Sequence, residues 1–269
     1  MQISKAAPRD IPQIKQLWNF RFNKENNSAA DMMLSSADTK DIYTVKENGA
    51  VTAAFITTEL EYKGCKGVYL YTDYTAFNGY SAENRAEIID LIVKDKNQQG
   101  FSFFVAKPDG DEDFTFWREN GFGNIVAHRV FDTEIKRNIW QAADFDIITA
   151  SRFPSVREKF TEEKIIHHSK TGYGLYTRYM YTKGDSTAEN KGAYAVYRVE
   201  KGRLTVRELF AVSTLTATQL LQAIRERTGC ETATVHLPEN STLFLGEGGK
   251  IPVYAVKGIS EEVYANLMF

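Results

Sequence analysis

Residues 101–131 read FSFFVAKPDGDEDFTFWRENGFGNIVAHRVF, and this stretch decides the fold. Phe101 to Ala106 is a compact apolar strand, Asp109 to Asp113 an acidic loop, Phe114 to Asn120 a short helix closed by Gly121, and Asn124 to Phe131 a further strand. Just upstream, Ile88, Ile89, Leu91 and Ile92 form the apolar stripe of a helix that Gly100 ends. A strand from about Val68 to Thr75 and the polar turn Asn78 to Asn84 precede that helix. The order is strand, turn, helix, strand, helix, strand.

Further upstream, Asp41 to Val45 and Ala50 to Thr57 alternate as strands across Asn48-Gly49, a dipeptide suited to a tight hairpin. Gln2 to Lys5 is a short strand. A helix follows it, with Asp10 as N-cap, Pro12 in the first turn and Gln13 three residues after the cap; Ile14, Leu17, Trp18 and Phe22 share its apolar face. This layout predicts the α+β class, a mixed sheet covered by helices. The second half repeats the plan more weakly. Phe145 to Ala150 leads to Pro154-Ser155-Val156, and Ala193 to Val199 and Leu204 to Phe210 form a hairpin across Lys201-Gly202. Ala217 to Arg227 is a helix ending at Gly229, and strands follow at Thr232 to Leu237 and Ile251 to Val256. Two tandem units are therefore expected, each a mixed twisted sheet flanked by helices, over residues 1–138 and 139–269. The connection Asp132 to Ala143 has no Gly or Pro to loosen it.

Three stretches carry a resemblance to the GNAT acyl-CoA N-acyltransferases: ISKAAPRDIPQIKQLW (residues 3–18), VYLYTDYTAFNGYSAENRAEIIDLIV (residues 68–93) and, most specifically, residues 101–131. In that family the last stretch is typically an apolar strand, a loop, a short helix bearing Phe-Tyr, then Gly-Phe and a closing strand. The matching residues here are Phe116, Trp117, Gly121 and Phe122. The resemblance covers roughly residues 1–135. The repeated plan is similar to that of the aminoglycoside-modifying, intracellular-survival type of acetyltransferase, in which a third, sterol-carrier-like domain would begin where this chain ends.

The resemblance implies acetyl-CoA as acyl donor, lying between the strands at Tyr69 to Thr75 and Phe101 to Ala106. Its pyrophosphate would sit on backbone N–H groups at a helix start, where the dipole favours anions. The implied cofactor-binding residues are Tyr71, Thr72, Ser81, Ala82, Glu83, Asn84 and Arg85. The family's Gln/Arg-x-x-Gly-x-Gly/Ala turn corresponds to Tyr80 to Ala86, which has no glycine and places Glu83 where phosphates belong. The site is thus weakened or lost, although the amides of Ala82 to Arg85 can still point outward and Arg85 offers compensating charge. Trp117 stands where the family commonly has a tyrosine acid. An indole N–H donates but does not titrate, so Trp117 either stabilises a developing thiolate or packs in the core with Phe114 and Phe116. For a general base, strand alternation puts Tyr69, Tyr71 and Asp73 on one face, making Asp73 the candidate. Its alternative is to cap the turn or face solvent. Glu59 and Glu61 on the previous strand come second.

Composition narrows the partners. Apolar residues are 43% and charged residues 25% of the 269, with 17 Phe and 14 Tyr to fill a sizeable core, so the chain is globular rather than disordered. Lys and Arg (33) against Asp and Glu (35) give a net charge of −2, which argues against nucleic acid and anionic membranes as partners. Cys65 and Cys230 have neither disulfide-framework nor zinc-ligand spacing, and no metal is expected. The N-terminus lacks a signal-like apolar run and no stretch approaches a membrane span, so a soluble, cytoplasmic protein is expected, with its oligomeric state open. Glu163 and His167 share a helical face as a solvated pair, while His128 and His236 fall in strands as structural residues. Neither Gly172-Tyr173-Gly174 nor Gly246 to Gly249 stands between a clear strand and helix, which argues against a phosphate loop there. Two function classes remain. One is an acetyl-CoA-dependent N-acetyltransferase acting on an amine of a small molecule or peptide. The other is a catalytically degenerate module of the same fold that binds a metabolite or a protein partner.

Overall fold

A computed structural model describes residues 1–21, 34–35, 37–71, 80–137, 144–160 and 164–267. The first half runs β1 (Gln2–Lys5), α1 (Ile11–Arg21), β2 (Ile42–Glu47), β3 (Ala50–Tyr62), β4 (Cys65–Tyr71), α2 (Ala82–Gln98), β5 (Phe103–Ala106), α3 (Asp111–Glu119) and β6 (Asn124–Glu134). The second half runs β7 (Asp146–Ile147), α4 (Phe153–Glu158), β8 (Lys164–His167), α5 (Lys170–Thr182), β9 (Ser186–Asn190), β10 (Ala193–Glu200), β11 (Arg203–Ala211), α6 (Thr214–Thr228), β12 (Thr232–Pro238), β13 (Gly249–Lys257) and β14 (Tyr264–Ala265). The α+β class and the mixed sheet flanked by helices hold.

Local chemistry sets most of these elements. Asn48 and Gly49 both take positive φ, as do Lys201 and Gly202, which are the primed turns that match strand twist in a two-residue hairpin. Ser81 and Ser213 cap α2 and α6 with their side chains, and Gly229 ends α6 in the left-handed region. At the first helix the expected cap is replaced. The Asp10 carboxylate accepts the Ala7 amide at 2.8 Å and Lys46 Nζ at 2.7 Å, while Gln13 Oε1 accepts the Val51 amide at 2.9 Å. Ile14 is fully buried against Ile42, Ala54 and Ile56, with Leu17 packed at the edge; the Trp18 side chain and Phe22 lie outside the described residues.

Among the described residues the strands join in one 14-stranded sheet, in the order β1-β2-β3-β4-β5-β13-β6-β12-β11-β10-β9-β7, with β8 attached to β3 and β14 to β8. Each half contains one parallel pair with a helix as crossover: β4 and β5 around α2, β11 and β12 around α6. β13 lies antiparallel to β5, β6 lies antiparallel to β12, and the two strands pair with each other at the centre. On one face of the first half, Ile88, Ile89, Ile92 and Val93 of α2 cover Val68, Leu70, Phe104 and Ala106. On the opposite face Tyr69, Phe103 and Val105 pack with Tyr254, Ile165 and Leu267. Beneath α6, Leu220, Leu221 and Ile224 cover Leu204, Val206, Leu209 and Val235.

Two expectations are corrected. His167 is in a strand, β8, rather than on a helix facing Glu163, and Glu163 itself lies outside the described residues. Gly172-Tyr173-Gly174 lies inside the helix α5, directly after that strand. Gly172 is needed there because a Cβ would stand 2.7 Å from the His167 ring, so the glycine serves helix-on-strand contact.

Candidate functional site

β4 and β5 pair in parallel from Gly67 opposite Phe103 to Leu70 opposite Ala106. Beyond that last pair β4 continues to Tyr71 beside Ile56 of β3, while β5 gives way to Lys107, so the two strand ends part company. α2 follows β4 in the chain, across residues 72–79, and starts at Ala82. Ser81 Oγ accepts the Asn84 amide at 3.2 Å and the Ser81 carbonyl accepts the Arg85 amide at 3.0 Å. That leaves the amides of Ala82 and Glu83 without an intrahelical acceptor. Ser81, Ala82, Glu83 and Asn84 are all exposed. Backbone donors suited to a phosphate are therefore present, together with the Glu83 carboxylate that opposes one.

Arg85 does not supply the missing charge at this helix start. Its Nη2 lies 2.8 Å from Asp113 Oδ1, and its guanidinium carbon is 4.0 Å above the Phe116 ring. Asp113, nearly buried, also accepts the Asp109 amide at 3.1 Å and the Trp117 indole N–H at 3.2 Å through Oδ2. Trp117 is 1% exposed and stands edge-on to Phe116 and Phe122 in the core beneath α2. One carboxylate thus gathers two expected site residues, Arg85 and Trp117, and takes up a donor from each. The donor set fits a pyrophosphate through its backbone, with the nearest guanidinium already neutralised.

Tyr69 and Tyr71 share a face of β4, as expected, with ring centroids 6.3 Å apart; it is the face turned from α2. Tyr69 is buried edge-on to Tyr254 and His167. Thr72 and Asp73 lie outside the described residues. Glu61 Oε2 is 2.6 Å from His168 Nδ1, and the Glu59 carbonyl accepts the His168 amide at 2.9 Å. Among the described residues no group of three or more His, Cys, Asp or Glu is placed to hold a metal ion, and no helix is long and apolar enough to cross a membrane.

The second half holds charges that the motif reading missed. A β-bulge sets Glu208 opposite Val196 and Val206 opposite Tyr197, leaving Arg207 without a partner on β10. Arg207 and Glu208 therefore both escape the face under α6. Glu208, fully buried, receives Nε and Nη2 of Arg157, each at 3.0 Å, Lys164 Nζ at 3.1 Å and the Tyr176 hydroxyl at 3.3 Å, and the Tyr194 hydroxyl closes the set. Burial alone would raise the Glu208 pKa, but the Arg157 and Lys164 charges hold it below the usual range. The available signal was the charged pair Arg207-Glu208 inside the apolar run Leu204 to Phe210.

The fold these elements build is that of the GCN5-related N-acetyltransferases. A GCN5-related N-acetyltransferase from Anabaena variabilis matches with a TM-score of 0.72 at 10% identity, over 96% of this chain and 72% of that one. Another from Kribbella flavida matches at 0.66 and 10% identity, over 95% and 71%. Eis1 from Mycobacterium abscessus matches at 0.67 and 11% identity, over 96% and 73%. No family model matches the chain, and no curated protein matches it.

Proposed function

We propose that the protein is an acetyl-CoA-dependent N-acetyltransferase acting on an amine of a small molecule or peptide. The observation that carries this reading is a parallel β4–β5 pair joined through α2, whose exposed first turn offers free backbone amides, within a fold shared with N-acetyltransferases over most of the chain. In this reading residues 1–138 and 139–269 are two copies of one unit, and the first copy carries the cofactor. Acetyl-CoA, when bound, supplies an activated acetyl thioester. Tyr71 and Thr72 flank the acyl end, and the Ser81 to Arg85 turn faces the pyrophosphate through the amides of Ala82 and Glu83, which have no intrahelical acceptor. Asp73 takes the proton of the attacking amine. Trp117 acts on the site through Asp113, to which its N–H is given.

The second reading, a binding module without turnover, is favoured by the Arg85–Asp113 pair, which removes the cation beside the helix start. Calorimetric titration with acetyl-CoA, followed by a thiol-release assay over a panel of amines, tests both. Binding with thiol release supports the enzyme, and binding without release supports the module. Failure to bind at about millimolar acetyl-CoA overturns the acetyltransferase reading.

A further inference from the structure

A cavity of about 270 Å3 lies on the sheet face turned from the large helices, where the parallel pairs β4–β5 and β11–β12 end. Lys107 follows Ala106, the last residue paired between β4 and β5, and Arg207 and His236 follow Val206 and Val235, the last pair between β11 and β12. His128 reaches in from β6. Crevices outside the carboxyl ends of parallel strands, where the chain switches direction, are where open α/β sheets bind ligands.

The lining is cationic, and no carboxylate belongs to it. Among the described residues Lys107 makes no ion pair. The ion pair of Arg207 is a 3.5 Å approach of Nε to Asp185 Oδ1, an oxygen already bonded to Arg198 Nε at 2.7 Å. Burial first and the Arg207 charge second hold the Lys107 ammonium below its ordinary pKa. The two cations therefore repel each other across a lining that holds no carboxylate, and the acids that act on them, Asp109 on Lys107 and Asp185 on Arg207, lie outside it.

The histidines add no charge at neutral pH. Burial pushes His128 down to about 4, and its Nε2–H donates to the Ala265 carbonyl at 2.7 Å, so Nδ1 is left as an acceptor. His236 is lowered by burial and then by Arg207. Thr205 and Asn266 complete the polar wall.

We propose that this cavity binds a small carboxylic acid carrying an amino or hydroxyl donor, its carboxylate held between the Arg207 guanidinium and the Lys107 ammonium. A planar guanidinium matches a carboxylate through two parallel hydrogen bonds, and His128 accepts from the donor on the rest of the ligand. The volume suits a molecule of amino-acid or aminobenzoate size. This inference stands whether or not the protein transfers acyl groups.

The test follows the imidazole proton signals of His128 and His236 in the full chain by NMR. The probes are 4-aminobenzoate, L-threonine, the uncharged 4-aminobenzamide and inorganic phosphate. Saturable shifts with at least one carboxylate, weakened about tenfold or more for the amide and in both Arg207→Gln and Lys107→Gln, are expected. Lys107 follows the end of β5 and makes no ion pair among the described residues, so Lys107→Gln carries the comparison if Arg207→Gln fails to fold. No saturation by about 20 mM, equal binding of acid and amide, unchanged affinity in the variants, or phosphate binding about tenfold tighter than every carboxylate would each overturn the proposal.

Discussion

Arg157 meets Glu208 edge-on, its Nε and Nη2 each 3.0 Å from a carboxylate oxygen, with both side chains wholly buried. Lys164 adds a second buried cation to the same carboxylate. Removing the acid leaves two desolvated positive charges with no counter-ion among these contacts. Breaking such a group from one side costs about 3–5 kcal/mol. Glu208→Gln, which keeps the shape, should lower the melting temperature by about 10 °C. A shift within about 2 °C would show that the network contributes little.

Acid should loosen the protein through His128. Its folded pKa is pushed from 6.5 to about 4, chiefly by burial, so between those values the unfolded chain binds more protons than the folded one. The contribution is complete above about pH 6.5 and falls as pH drops toward 4, with about 2 kcal/mol lost by pH 5. His167, pushed to about 3, acts in the same direction. Urea unfolding of wild type and His128→Gln at about pH 7 and pH 5 measures this. The variant should lose about 2 kcal/mol less stability between the two pH values, and equal losses would remove His128 as the cause.

How much of this was legible in the sequence follows from how local each signal is. The hairpins at Asn48-Gly49 and Lys201-Gly202 and the stripe Ile88-Ile89-Ile92 are set by neighbours in the chain, and the structure has them at the expected places. The insertion of β13 between β5 and β6 pairs residues more than a hundred positions apart, and no local pattern marks it. α5 was hidden because Gly172 and Gly174 lower helix propensity; the helix carrying them packs on His167 and buries Leu175, Tyr176 and Met180. At the candidate site, the shared face of Tyr69 and Tyr71 followed from strand alternation. The Trp117 contact with Asp113 is an i, i+4 pair within α3, whereas the capture of Arg85 by the same carboxylate depended on how α2 sits against α3, which spacing cannot encode.

That capture makes Arg85 testable in two ways. Arg85→Ala leaves the nearly buried Asp113 without its cation and should cost about 2 kcal/mol of stability. Because its guanidinium faces Asp113 rather than the helix start, acetyl-CoA affinity should change by less than about twofold. A loss of about tenfold or more in affinity would mean that Arg85 leaves Asp113 to meet the phosphates.

The sharpest consequence of the acetyltransferase reading concerns Asp73. Tyr69 and Tyr71 occupy the face of β4 turned from α2; Asp73, the base that sequence alternation proposes, lies outside the described residues. A carboxylate in tyrosine-rich surroundings is partly desolvated, which raises its pKa toward the range useful to a general base. Asp73→Asn keeps the shape and removes the proton acceptor. It should lower the single-turnover rate about 100-fold or more while acetyl-CoA affinity stays within about twofold. The acid limb of the rate profile should go with it. Glu61→Gln is the matched control, because Glu61 is engaged by His168 at 2.6 Å and should leave the rate within about twofold. Equal rates for wild type and Asp73→Asn would take the base away from this strand, and a fall in the control instead would move it to Glu61.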